Sequence, residues 1–119
     1  MHNILIVDDD KNLCSVLCEE LNELGFQASF VNSADEAIFA AQNNGIDLML
    51  LDLKMPGKDG FYVLKSLKDK EIRIKVIVLT AYADVQSAID SSKLGAIDFI
   101  SKPYDLDELI ITVRKVLNL

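Results

Sequence analysis

The chain reads as a doubly wound α/β fold, with five strands alternating with five helices around a parallel sheet in the order 2-1-3-4-5. Two observations predict this. Short apolar runs recur along the chain, and each is followed by a stretch with apolar residues at helical spacing. Several of those runs also stop abruptly on a polar residue ahead of a turn, as parallel strands do at the carboxyl edge of a sheet. The plainest case is Ile46 to Leu51, which closes on Asp52 and meets Pro56-Gly57 soon after. Such a run suits a strand buried on both faces. Asp52 would then stand at the sheet edge where open α/β folds bind ligands.

The elements follow in order. Ile4 to Val7 is a first strand ending on Asp8-Asp9-Asp10, and Lys11 to Leu24 is a helix with Cys14, Leu17, Leu21 and Leu24 on one stripe, stopped by Gly25. Asp10 reads as its N-cap. Phe26 to Val31 alternates as a half-covered second strand. Ser33-Ala34-Asp35-Glu36 is a capping box opening a helix that fades at Asn43-Asn44-Gly45. After the third strand, a helix runs from near Asp59 to Lys68 with Phe61, Leu64 and Leu67 at helical spacing. Lys75 to Leu79 is a fourth strand ending on Thr80, and Asp84 to Leu94 is a weakly apolar, serine-rich helix stopped by Gly95. Ile97 to Ile100 is a short fifth strand ending on Ser101-Lys102-Pro103. Asp105 to Glu108 forms another capping box and starts a last helix to about Asn118.

The length of 119 residues, with no linker or repeat, points to one domain spanning 1–119. Twelve basic against nineteen acidic residues give a net charge of −7, which opposes direct binding to nucleic acid or to an anionic membrane. No apolar stretch reaches the ~18 residues that span a bilayer. A signal-peptide layout is missing, so a cytoplasmic location is expected. Cys14 and Cys18 read as half-buried structural thiols, and with His2 the one histidine, a zinc site is not expected. Met49 and Met55 read as packing residues.

A common register brings Asp8, Asp9, Asp52, Thr80 and Lys102 to one rim, although they are spread over most of the chain. Three clustered carboxylates repel unless a cation sits among them. Oxygen-only donors favour a hard ion, with Mg²⁺ the default for phosphate chemistry. The set suits a carboxylate nucleophile attacking phosphorus, with Lys102 and the Thr80 hydroxyl collecting phosphoryl oxygens. Acids after strands also serve as simple helix caps, worth about 1 kcal/mol each. That account satisfies Asp10 but not Asp8, Asp9, Asp52, Thr80 and Lys102 together.

Val7-Asp8-Asp9-Asp10, Leu51 to Gly60, Leu79-Thr80-Ala81-Tyr82 and Ser101-Lys102-Pro103-Tyr104 resemble the motifs of the receiver domain of response regulators in two-component and phosphorelay signalling. The resemblance covers essentially the whole chain and implies a flavodoxin-like (βα)5 fold. It implies that Asp52 is the phosphoacceptor and that Asp8, Asp9, Asp52 and the Lys54 backbone carbonyl surround Mg²⁺. It further implies that Thr80 and Phe99 are switch residues, that Lys102 pairs with the phosphoryl group, and that Lys102-Pro103 is cis. Lys54 and Tyr82 fall where the family tunes phosphoryl lifetime, and their bulk implies slow hydrolysis. Within the family, the motifs look most like the sporulation phosphorelay intermediate and the receivers of nitrogen-regulation-type activators.

The resemblance implies a sensor histidine kinase or histidine phosphotransfer protein as partner, docking on Asn12, Leu13, Val16, Pro103 and Tyr104. Leu13 and Val16 lie off the main stripe of the first helix, which suits a docking surface, although a wide internal stripe accounts for them as well. The face made by the fourth helix, fifth strand and fifth helix is expected to change shape on phosphorylation, and a phosphorylation-dependent homodimer is a further assembly open to the domain. Such a domain accepts a phosphoryl group rather than turning over a substrate as an enzyme. A stand-alone regulator and the N-terminal receiver of a transcriptional activator both remain open. A haloacid-dehalogenase-type phosphatase needs a second acid two residues after its nucleophile, where Lys54 stands. A flavin carrier needs a phosphate cradle where Asp8-Asp9-Asp10 would repel one, and no P-loop is present.

Overall fold

The three central strands are short and apolar enough to be covered from both sides, and they are. The computed structural model describes residues 2–81 and 84–119. It contains β1 (Asn3–Val7), α1 (Lys11–Glu23), β2 (Gln27–Val31), α2 (Ala34–Asn43), β3 (Leu48–Leu51), α3 (Gly60–Asp69), β4 (Lys75–Thr80), α4 (Val85–Lys93), β5 (Asp98–Ser101) and α5 (Leu106–Val116). The strands pair in parallel in the order β2-β1-β3-β4-β5, as the alternation of elements predicts.

Side chains alternate across the sheet and build two cores. Ile4, Ile6, Leu48, Leu50, Ile77 and Leu79 face α1 and α5, where Leu17, Leu21, Leu109 and Val113 meet them. Leu5, Val7, Met49, Leu51, Val76 and Val78 face α2 and α3, packing on Ile38, Val63 and Leu64. Each fully buried side chain of this size contributes roughly 1.5–3 kcal/mol. Met49 and Met55 are buried in the second core, so both are packing residues. Edge strand β2 is largely exposed, as its polar alternation implies.

Parallel connections point every helix N-terminus at the carboxyl edge, and each starts with a side-chain cap. Asp10, Ser33, Asp59, Asp84 and Asp105 accept from the N–H groups of Leu13, Glu36, Tyr62, Ser87 and Asp107 respectively. Asp10 is thus the cap its sequence position suggests.

Most element boundaries fall within two residues of those expected, and four differences bear on packing. Leu24 is exposed, because α1 ends before it and Gly25 turns the chain away at a φ of 96°. β3 starts at Leu48 rather than Ile46: the Asp47 N–H still donates to the Asn3 carbonyl (2.9 Å), but the Asn3 N–H takes the Asp47 carboxylate (2.8 Å) in place of a backbone carbonyl. β5 is Asp98–Ser101, with Ile97 exposed before it. The inward face of α4 is Ser87 and Ser91, while Val85 and Ile89 point outward, so its weak apolar stripe is not the buried one.

Candidate functional site

Register pairs set the site. Val7 lies beside Leu51, and Leu51 beside Val78, so Asp8, Asp52 and Thr80 emerge side by side as their strands end. The Asp52 N–H donates to the Val7 carbonyl (2.9 Å), carrying the sheet pairing into the site itself. Asp8, Asp52 and Thr80 are all buried, and Asp9 is exposed at the mouth.

Asp52 is held from three sides. The Thr80 hydroxyl donates to Oδ1 at 2.6 Å, the Lys54 N–H donates to Oδ1 at 3.1 Å, and Lys102 Nζ reaches Oδ2 at 3.2 Å. Lys102 also donates to Asp8 Oδ2, bridging the two carboxylates. The Asp10 N–H donates to Asp8 Oδ1 at 2.9 Å. Lys102 follows β5, and the Lys102–Pro103 peptide is cis, in line with the resemblance.

Burial pushes the Asp8 carboxyl above its ordinary range, against the pull of Lys102 and the Asp10 N–H. Burial alone would lower the Lys102 ammonium, but Asp8 and Asp52 outweigh it and raise its pKa. Lys102 is therefore a fixed cation within an acidic pocket. One oxygen from each of Asp8, Asp9 and Asp52 lies within 4.8 Å of the other two. That oxygen-only set fits a single small hard cation.

The remaining sequence candidates fall around this centre. Lys54 is exposed at the pocket edge. Phe99 is half-buried against the core under α2 and α3. Asn12 is exposed, Val16 is 57% exposed, and Pro103 is exposed. Leu13 and Tyr104 are half-buried against the α1/α5 core, and with Ala81, Lys102 and Pro103 they line an apolar groove next to the pocket. The wide stripe of α1 thus divides, with Leu13 packing and Val16 facing solvent. Tyr82 lies outside the described residues.

Two contributors escaped the sequence reading as individual residues. Asn32 donates through Nδ2 to the Asp8 carbonyl at 2.8 Å, and nothing in its sequence context marks it. Gly60 packs so tightly that a Cβ would sit 2.4 Å from the Asp52 carbonyl oxygen and 2.6 Å from Leu53 Cα. A glycine just inside a helix start, rather than past its end, is the signal that could have exposed it.

Residues 4–114 match the family model of the response regulator receiver domain. The chain belongs to that family. This receiver is 37% identical over its whole length to the regulatory protein AtoC of Escherichia coli, of which it spans 26%. It is 38% identical to sporulation initiation phosphotransferase F of Bacillus subtilis, with 98% of this chain and 94% of that protein covered. Among solved structures, the receiver is similar to the response regulator TrrA of Thermotoga maritima in complex with Mg²⁺-BeF. The TM-score there is 0.87 at 35% identity, covering 98% of this chain and 99% of that one. The receiver therefore spans about a quarter of AtoC and nearly all of the sporulation protein.

Proposed function

We propose that this receiver accepts a phosphoryl group on Asp52 from a partner phosphohistidine, in a Mg²⁺-dependent transfer. The observation that carries the reading is the setting of Asp52, a buried carboxylate with a hydroxyl, an ammonium and a backbone N–H aimed at its two oxygens. In the transfer, an Asp52 carboxylate oxygen forms a bond to phosphorus as the bond from phosphorus to the imidazole nitrogen breaks. The nitrogen leaves with the electron pair. Lys102 and the Thr80 hydroxyl then turn from Asp52 to the phosphoryl oxygens, where charge develops. Asp8, Asp9, Asp52 and the Lys54 carbonyl are the groups that would hold Mg²⁺. When bound, it supplies neutralisation of the clustered carboxylates and of the phosphoryl charge.

Movement of Thr80 toward the phosphoryl group leaves space for Phe99 to turn inward, which alters the α4, β5 and α5 face and favours a homodimer. The domain is a phosphoacceptor and not a turnover enzyme. Its partner is a sensor histidine kinase or a histidine phosphotransfer protein, docking across α1 and the groove by Pro103 and Tyr104. We place it in the cytoplasm, without direct nucleic-acid or membrane binding; no described helix is long and apolar enough to cross a membrane. Nearly full coverage of the sporulation protein supports a stand-alone phosphorelay role. The AtoC match supports a second reading, a receiver joined to an output domain in a transcriptional activator.

The test is incubation with acetyl phosphate and MgCl₂ followed by intact mass measurement. The wild type gains one phosphoryl group, and Asp52→Asn gains none. An equal gain in both proteins refutes the assignment. The bulk of Lys54 and Tyr82 predicts slow loss of the group, and a half-life of seconds would remove that part of the reading.

A further inference from the structure

The amino edge of the sheet, opposite the acidic pocket, carries a cavity of about 220 Å³ between the C-terminal ends of α3 and α4. Leu64, Leu67, Ile72, Ile74, Val76 and Leu94 line it, and Lys68 and Lys93 stand at its rim. The charge around it is unlike that of the rest of the molecule. Besides Lys68 and Lys93, which line it, Lys65, Lys70 and Arg73 lie close to Lys68 in sequence, against only Asp69 and Glu71, in a chain of net charge −7; Lys75 is turned away, its ammonium on the Val116 carbonyl. Lys65, Lys68, Lys70, Arg73 and Lys93 are all exposed, and none forms an ion pair among the described residues.

Helix ends favour cations, and Lys68 and Lys93 do lie in the last turns of α3 and α4. That effect does not explain Lys70 and Arg73, which follow the helix. Nor does it call for an apolar cavity between the two cations.

We propose that this groove binds an acidic peptide segment that places an apolar side chain between Lys68 and Lys93. Apolar burial supplies the affinity, and the unpaired lysines and Arg73 supply the preference for acidic sequence and the speed of association. The site lies at the far end of the sheet from Asp52, so occupancy there leaves the acidic pocket accessible.

The experiment uses a fluorescein-labelled, glutamate-rich peptide with a central leucine–phenylalanine pair, titrated with the whole chain and followed by anisotropy. Saturable binding is expected, with amide shifts centred on Leu67, Ile72 and Leu94. Replacing the apolar pair by glycine and serine should weaken binding at least roughly tenfold. The double variant Lys68→Glu/Lys93→Glu should do the same, weakening further with added salt, and Lys68→Gln/Lys93→Gln serves if charge reversal disturbs the fold. Asp52→Asn should bind like the wild type. Equal binding of the glycine–serine peptide, equal binding by the lysine variants, or no saturation overturns the proposal. So does sedimentation with phosphatidylglycerol vesicles in place of peptide binding.

Discussion

At the scale of single residues, what decides the site is how little room each atom has. Gly60 is the clearest instance, since its N–H donates to the Leu53 carbonyl (2.9 Å) while its Cα lies against the Asp52 backbone. Gly60→Ala is expected to destabilise the fold by about 1–3 kcal/mol, as overpacking against backbone does, and urea unfolding would measure it. Cys14 is a second instance. Burial, with Asp8 and Asp10 nearby, pushes its thiol up to about 12. At pH 8 roughly one molecule in ten thousand then carries the thiolate. Iodoacetamide should therefore label the half-buried Cys18 and leave Cys14 until the chain unfolds, read by peptide mass mapping. The sign for stability follows. The folded form keeps a proton that the unfolded chain releases from about pH 9, so stability falls as pH rises from there toward 12.

At the scale of elements, α4 stands apart. The other helices press leucine, valine, isoleucine or alanine inward, whereas α4 presents Ser87 and Ser91, and Ser91 returns its hydroxyl to the Ala88 carbonyl of the same helix. Little apolar area holds it down, so its amides should exchange with solvent faster than those of α5, measurable by hydrogen exchange. The sequence showed that the helix was poor in apolar residues, yet not which side faced in. Periodicity locates a stripe only when the buried side is the apolar one, and here Val85 and Ile89 form the outward side. Elements with strong caps and dense apolar spacing, such as α2 behind Ser33 and α5 behind Asp105, were legible almost to the residue. Strand ends were less so, because Asp47 and Ile97 take part in pairing that no local pattern encodes.

At the scale of the whole molecule, one topology explains why residues from 8 to 102 share a pocket. Aspartates and a threonine at strand ends made that pocket readable from sequence, because a strand end is a place the chain must pass in any parallel α/β sheet. Asn32 stayed hidden, since its role depends on how the β2–α2 connection lies over Asp8. Divalent binding offers a test of the assembled pocket. With free MgCl₂ at tenfold its dissociation constant, the fold should gain about 1.4 kcal/mol, or roughly 5 °C in melting temperature. Asp9→Asn should abolish that gain and leave the melting point in EDTA nearly unchanged, because Asp9 is exposed. Calorimetry with and without the metal would decide it.

Asp10 joins two of these scales. Its N–H is tied to the Asp8 carboxylate, and its own carboxylate is tied to the first turn of α1 at Leu13. Two hydrogen bonds through a single residue therefore link the innermost acid to the stretch that begins with Asn12. Any rearrangement of Asp8 pulls on the start of that helix, so the face proposed above for docking is geared to the carboxylate behind it.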